Sequence, residues 1–186
     1  MIAPILSKTL PNMATVRPGV IQALAPNATR VAGTITLAID APAVPSVRRI
    51  EMRNADLSDL ADLDAAWAII GIGKGVGGPE HIADLDPLRK LLGAEYVCTR
   101  DVVEAGWMPR QLQVGLTGRS LAPDLYIGVG IRGDFNHLVG LQRAGVLVGI
   151  NNNKRTPVFR STDVAVLADW HDFIPALIEA LKPELA

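Results

Sequence analysis

A single cysteine, Cys98, stands among 186 residues, so no disulfide can form within the chain and a reducing, cytoplasmic setting is expected. Neither sign of charge dominates, with 18 Lys and Arg against 19 Asp and Glu. The broad basic face that nucleic acid or an anionic membrane requires is therefore not expected. No stretch approaches the ~18 uninterrupted apolar residues of a membrane span. The start, M-I-A-P-I-L-S-K, has no basic region followed by a long apolar one, so no leader is expected either. Aromatic residues are only 4%, while Ala, Val and Gly are plentiful, which suits tight α/β layers better than a β-sandwich.

Along the chain, Pro4, Pro11, Pro18 and Pro26 break residues 1–30 into extended and turn structure. Val31 to Asp40 alternates like a strand, and Val47 to Met52 reads as another. Asn54 to Asp64, acidic among leucines and alanines, fits a short helix or a linker equally. These residues, 1–64, form an N-terminal segment with strands and no helix long enough to cover them. From Ala65 to the end, 65–186, strand and helix alternate, the pattern of a doubly wound, Rossmann-like parallel sheet. The strands expected there are Ala66–Gly73, Glu95–Thr99, Leu112–Val114, Leu125–Ile131, Val146–Asn151 and Val164–Ala168. The helices are Pro79–Leu92, closed by Gly93, then Asp101–Ala105, Asn136–Ala144 and Phe173–Leu181.

Gln113 to His137 is the centre of this pattern: two glycine-rich turns flank an apolar strand, and helical spacing begins past Gly133. A strand, a glycine turn and a helix start can hold a phosphate, although such glycines also serve as plain turn residues. In open parallel sheets ligands gather at the carboxyl ends of the strands. Those ends carry Lys74, Thr99, Arg100, Gly115, Leu116, Thr117, Gly118, Arg119, Gly130, Arg132, Gly133, Asn151 and Asp169. Small residues and cations suit phosphates, and Asn and Asp suit a base and ribose, so a nucleotide is the expected ligand class.

Three motifs carry a resemblance: T-R-D-V-V-E-A-G-W-M-P-R-Q-L-Q-V-G-L-T-G-R from Thr99, A-P-D-L-Y-I-G-V-G-I from Ala122, and D-F-I-P-A-L-I-E-A-L from Asp172. Together with M-A-T-V-R-P-G-V from Met13, they make the chain similar to the α subunit of the electron transfer flavoproteins. The resemblance implies a domain that binds FAD in an extended conformation and carries electrons from flavin dehydrogenases to an acceptor oxidoreductase. It also implies a β-subunit partner. By resemblance Arg100 lies against the flavin ring, Thr117 near its N5, and His137 near the pyrimidine carbonyl. Lys74 stands where the family has arginine, Thr99 where it has serine, and Asn136 where it has glutamine. Asn151 and Asp169 match residues on the adenosine side.

Two departures stand out. Leu116-Thr117-Gly118-Arg119 replaces the family's Q-T-G-K, and Arg132-Gly133-Asp134 replaces S-G-A, placing a carboxylate where a pyrophosphate is expected. Asp134 either needs an offsetting Arg132 or Arg119, or caps the following helix. Only 12 residues precede the M-A-T-V-R-P-G-V motif, so a partner chain or self-association is expected to cover the N-terminal strands. Simpler roles are also open: Arg100 pairing with Asp101 or Glu104, His137 as a satisfied helix histidine, Cys98 as a buried strand thiol, and Trp107 packing a turn. His81 and His171 read as ordinary helix-start residues, and no metal site is expected. The alternative to an electron carrier is an AMP- or ADP-binding structural or regulatory module. An enzyme proper is the weakest reading, because no acid and base pair is evident.

Overall fold

The computed structural model describes residues 63–185 without a break, and before them only positions 8, 10–13, 15, 25, 27, 29–31, 33–38 and 50. Its strands are β1 (Ala68–Ile72), β2 (Glu95–Cys98), β3 (Leu125–Val129), β4 (Val146–Asn151) and β5 (Val164–Leu167). All pair in parallel, in the order β2-β1-β3-β4-β5. The α-helices are α1 (Asp86–Leu92), α2 (Arg100–Glu104), α3 (Phe135–Leu138) and α4 (Trp170–Leu181). This is the doubly wound α/β architecture that the alternating pattern predicts.

The strands form where short apolar runs must be covered on both faces. Every residue of β1 is buried. On one face Ala68, Ile70 and Ile72 join Ile127, Val129 and Ile150, and pack against Leu85, Leu88 and Leu92 around α1 and Ile174 of α4. On the other face Ile69 and Tyr126 meet Leu63, Val114, Leu121, Ile131 and Leu141. Each fully buried aliphatic chain of this kind contributes roughly 1.5–3 kcal/mol of burial free energy.

The element boundaries differ from the sequence pattern in instructive ways. Pro79–Leu85 is a 3-10 segment and only Asp86–Leu92 is α-helical, because Pro87 sits in the first turn and restarts the helix. Gly93 closes it as expected. Helix α4 begins at Trp170 rather than Phe173, since the Asp169 carboxylate accepts from the His171 N–H and caps it. The expected strand at Leu112–Val114 is replaced by a 3-10 turn, Arg110–Leu112, and single bridges from Gln113 to Cys98 and from Val114 to Arg119. The strand ending at Ile131 stops instead at Val129, because Gly130 turns the chain with φ 61°. Asn136–Ala144 becomes the short α3 followed by a 3-10 turn, Val139–Leu141.

Of the expected strand from Val31 to Asp40, positions 31 and 33–38 are described; they belong to no strand and are exposed. Among the described residues no neighbouring strand is present for their alternation to pair with. Ile50, within the expected strand Val47–Met52, is likewise unpaired and exposed; the rest of that strand and residues 54–62 lie outside the described residues. No helix among the described residues is long and apolar enough to cross a membrane.

Candidate functional site

The strand order reverses beside β1: the chain leaves it for β2 on one side and returns as β3 on the other. A crevice opens at such a switch point, outside the carboxyl ends of the strands. The turns after β1 and β3 interlock there. Gly73 N–H donates to the Val129 carbonyl at 2.9 Å, and Gly75 N–H to that of Gly130 at 2.9 Å. A Cβ on Gly130 would lie 2.5 Å from the Gly75 carbonyl carbon. These glycines allow one turn backbone to touch the other, the turn role that the sequence leaves open.

Beside this junction lies a cavity of about 210 Å³, lined from three directions. Thr99, Arg100 and Asp101 come from the start of α2, Gln113, Val114, Leu116 and Thr117 from the following loop, and Ile131, Arg132, Gly133, Asp134, Asn136 and His137 from the start of α3. A second, smaller cavity at the ends of β3, β4 and β5 is lined by Gly75, Gly130, Ile150, Asn151, Asn152, Ala168 and Trp170. Eight of the fifteen residues singled out from sequence line the first cavity and two line the second. Lys74, Gly115, Gly118, Arg119 and Asp169 line neither.

Residues 113–119 form a tight loop. Arg119 N–H donates to the Gln113 carbonyl at 2.7 Å, Gly115 N–H to that of Arg119 at 3.0 Å, and Gly118 N–H to that of Gly115 at 3.0 Å. The loop is pinned to α3 by the Leu116 N–H on the Asn136 carbonyl at 2.6 Å. Gly115 and Gly118 have no room for a side chain, because a Cβ on either would lie 2.2 Å from a carbonyl oxygen. Inside the loop the buried Gln113 amide donates to the Thr117 hydroxyl at 2.9 Å. A hydroxyl that accepts one hydrogen bond still has its own proton to give, so Thr117 keeps a donor for the cavity. Arg119 reaches Asp64 at 2.5 Å, tying the loop to the short helical turn at 63–65.

His137 is buried with both ring nitrogens engaged. Nδ1 lies 3.2 Å from the Val114 carbonyl and Nε2 lies 2.7 Å from the Tyr126 hydroxyl. The carbonyl can only accept, so Nδ1 carries the proton and Nε2 accepts from tyrosine. Burial pushes the imidazole down to about 4, partly offset by the Val114 carbonyl, and pushes the Tyr126 hydroxyl up. The satisfied-histidine role is thus realised: the ring links β3 to the loop that carries Leu116 and Thr117.

The cations divide by partner. Arg100 donates from Nε to Glu104 at 2.7 Å on the exposed side of α2. Arg132 lies 3.3 Å from Asp134, so the carboxylate expected to trouble an anion is paired. Asp134 occupies the N-cap position of α3, but its side chain makes no capping bond. Lys74 places its ammonium 4.5 Å from the Trp107 ring centroid. At the far end Asn151 donates to the Ile131 carbonyl at 3.0 Å and accepts from the Asn153 N–H at 2.9 Å. Asp169 takes both the backbone N–H and the ring of His171, which lowers its carboxyl below the usual range.

Sequence reasoning passed over Gln113, Tyr126 and Trp170 as parts of this edge. Tyr126 had a signal: it alternates with Leu125 and Ile127, and so faces away from their core layer toward His137. His171 stacks on Trp170 at 3.8 Å, and His81 stands 5.4 Å from His171, an aromatic group that spacing alone does not reveal. Among the described residues no three His, Cys, Asp or Glu side chains are grouped to hold a metal.

Residues 62–142 match the family model described as the electron transfer flavoprotein FAD-binding domain. Curated relatives named Protein FixB align over 168 residues, or 90% of this chain. The one from Escherichia coli O139:H28 (strain E24377A / ETEC) is 37% identical, and that from Escherichia coli (strain K12 / DH10B) is 36% identical. The alignment covers 53% of each of these relatives, so this chain spans about half their length.

Proposed function

We propose, from the match of residues 62–142 to the electron transfer flavoprotein FAD-binding domain, that this chain holds FAD, extended along the carboxyl edge of its sheet, and passes electrons from flavin dehydrogenases to an acceptor oxidoreductase. The family is one of electron carriers rather than of catalysts. The observation that supports the reading most is the first cavity, whose lining brings Arg100 from α2 and Arg132 from the turn before α3 together with Thr117 and the apolar Leu116. Its volume of about 210 Å³ falls short of the roughly 300–1,000 Å³ of pockets that enclose a whole ligand, which suits an extended one running on toward Asn151.

Bound FAD would supply one- and two-electron transfer, chemistry no side chain here offers. The chain's own residues supply charge and orientation. Among the described residues Arg100 makes an exposed pair with Glu104, a contact worth at most about 1 kcal/mol, so its guanidinium can turn into the cavity where negative charge develops. Thr117 donates its hydroxyl proton, and Thr99, Asn136, Gly133 and Arg132 line the walls. His137 serves through the loop it anchors rather than by donating a ring N–H. Lys74, Arg119, Asn151 and Asp169 hold the rim and the adenosine end. A β-like subunit closes the open side, and the carrier works as a heterodimer.

The AMP- or ADP-binding module remains the second reading, favoured by the Arg132–Asp134 pair, which offsets one of the two cations lining the cavity. A visible spectrum separates the two. The purified chain, supplied with FAD and freed of the excess, shows flavin bands that weaken or vanish in Arg100→Ala. A colourless protein that binds ADP overturns the carrier in favour of the module.

A further inference from the structure

Lys74 is the second residue past β1, at the point where the strand order reverses, and its backbone belongs to the turn that touches Gly130. Its side chain is four methylenes long, and a cation on such a stem sweeps a wide arc unless something holds it. The Trp107 ring is what it meets, 4.5 Å from Nζ to the ring centroid. Trp107 is itself held: its backbone N–H donates to the Val102 carbonyl at 3.1 Å, and its half-buried side chain packs against the core. An indole face is the best aromatic partner for an ammonium, because its π electrons present negative charge. The helix that begins with Arg100 is therefore followed, three residues past its end at Glu104, by the residue that steadies a second cation.

We propose that Trp107 is a positioning residue for Lys74, holding the ammonium at the carboxyl edge between β1 and β2 for the anionic part of the bound cofactor. The inference rests on the FAD reading of this edge and adds to it a residue that touches no ligand. Without the ring, Lys74 must be ordered at the moment of binding, and affinity falls by the cost of that ordering.

A double-mutant cycle tests it, with FAD as the titrant and affinity read by calorimetry on the full chain. Trp107→Met weakens FAD by about two- to tenfold, Trp107→Phe restores affinity to within about twofold, and Trp107→Met has no further effect in a Lys74→Met background. Unchanged or tighter binding by Trp107→Met overturns the inference, as does equal weakening in both backgrounds, which would mark plain packing. A parent chain that binds no FAD overturns the FAD reading, and the inference with it. Lys74 is exposed, so Lys74→Met keeps the fold and gives a check independent of the tryptophan variants. It shifts the tryptophan emission of the ligand-free chain, and unaltered emission overturns the contact.

Discussion

His137 is where one side chain decides most. Its ring is neutral, donates from Nδ1 and accepts at Nε2, and so joins Val114, on the cavity loop, to Tyr126, on β3. The ring titrates near 6.5 in an unfolded chain and near 4 here, so the folded state binds fewer protons across that interval. Stability is therefore full above about 6.5, falls as the pH drops toward about 4, and levels off below, where both states are protonated. The share of this one residue is on the order of 3 kcal/mol. Urea midpoints measured from pH 7.5 to 4 fall accordingly, and His137→Gln flattens the slope between 6.5 and 4. If the variant keeps the parent's slope, the ring is not buried and neutral as described.

The elements meet in turns, and the turn at Gly130 is the one with no slack. Its φ of 61° is strained for any other residue, and a Cβ there collides with the turn after β1. Gly130→Ala is expected to cost at least about 2 kcal/mol, read as a lower melting temperature, and to weaken FAD because both cavities border this junction. A variant as stable as the parent would mean that the two turns are not interlocked. The same elements show what the sequence makes legible. Leu125–Val129 and Val146–Asn151 are plain in the sequence because both are short, continuous apolar runs, the former covered on both faces. The residues between Thr99 and His137 that line the first cavity are legible through motifs that keep their spacing. What escapes is whatever depends on contacts across the sheet: the Tyr126–His137 bond, the Gln113–Thr117 bond, and Trp107 beneath Lys74. Residues 31 and 33–38 mislead for the same reason, since alternation states a capacity to pair and not a partner.

In the molecule as a whole, protection runs from the middle outward. β1 and β3 lie inside the sheet with buried side chains, whereas β5 is an edge strand whose Val164 and Leu167 are exposed. Amide hydrogen exchange is expected to be slowest in β1 and β3 and much faster in β5, in proportion to the structure that must open to release each. Comparable rates in β1 and β5 would contradict this sheet order. The order also bears on synthesis. A ribosome delivers the chain from its N-terminus, so β1 emerges early, yet it pairs with β3, Ala68 against Leu125, only after the whole β2–α2 excursion has followed. Closing so distant a pair slows folding, and until then one flank of an entirely apolar strand is bare. The centre of this sheet thus waits for a strand far along the chain, and a chaperone that shields β1 during translation would raise the yield of folded protein.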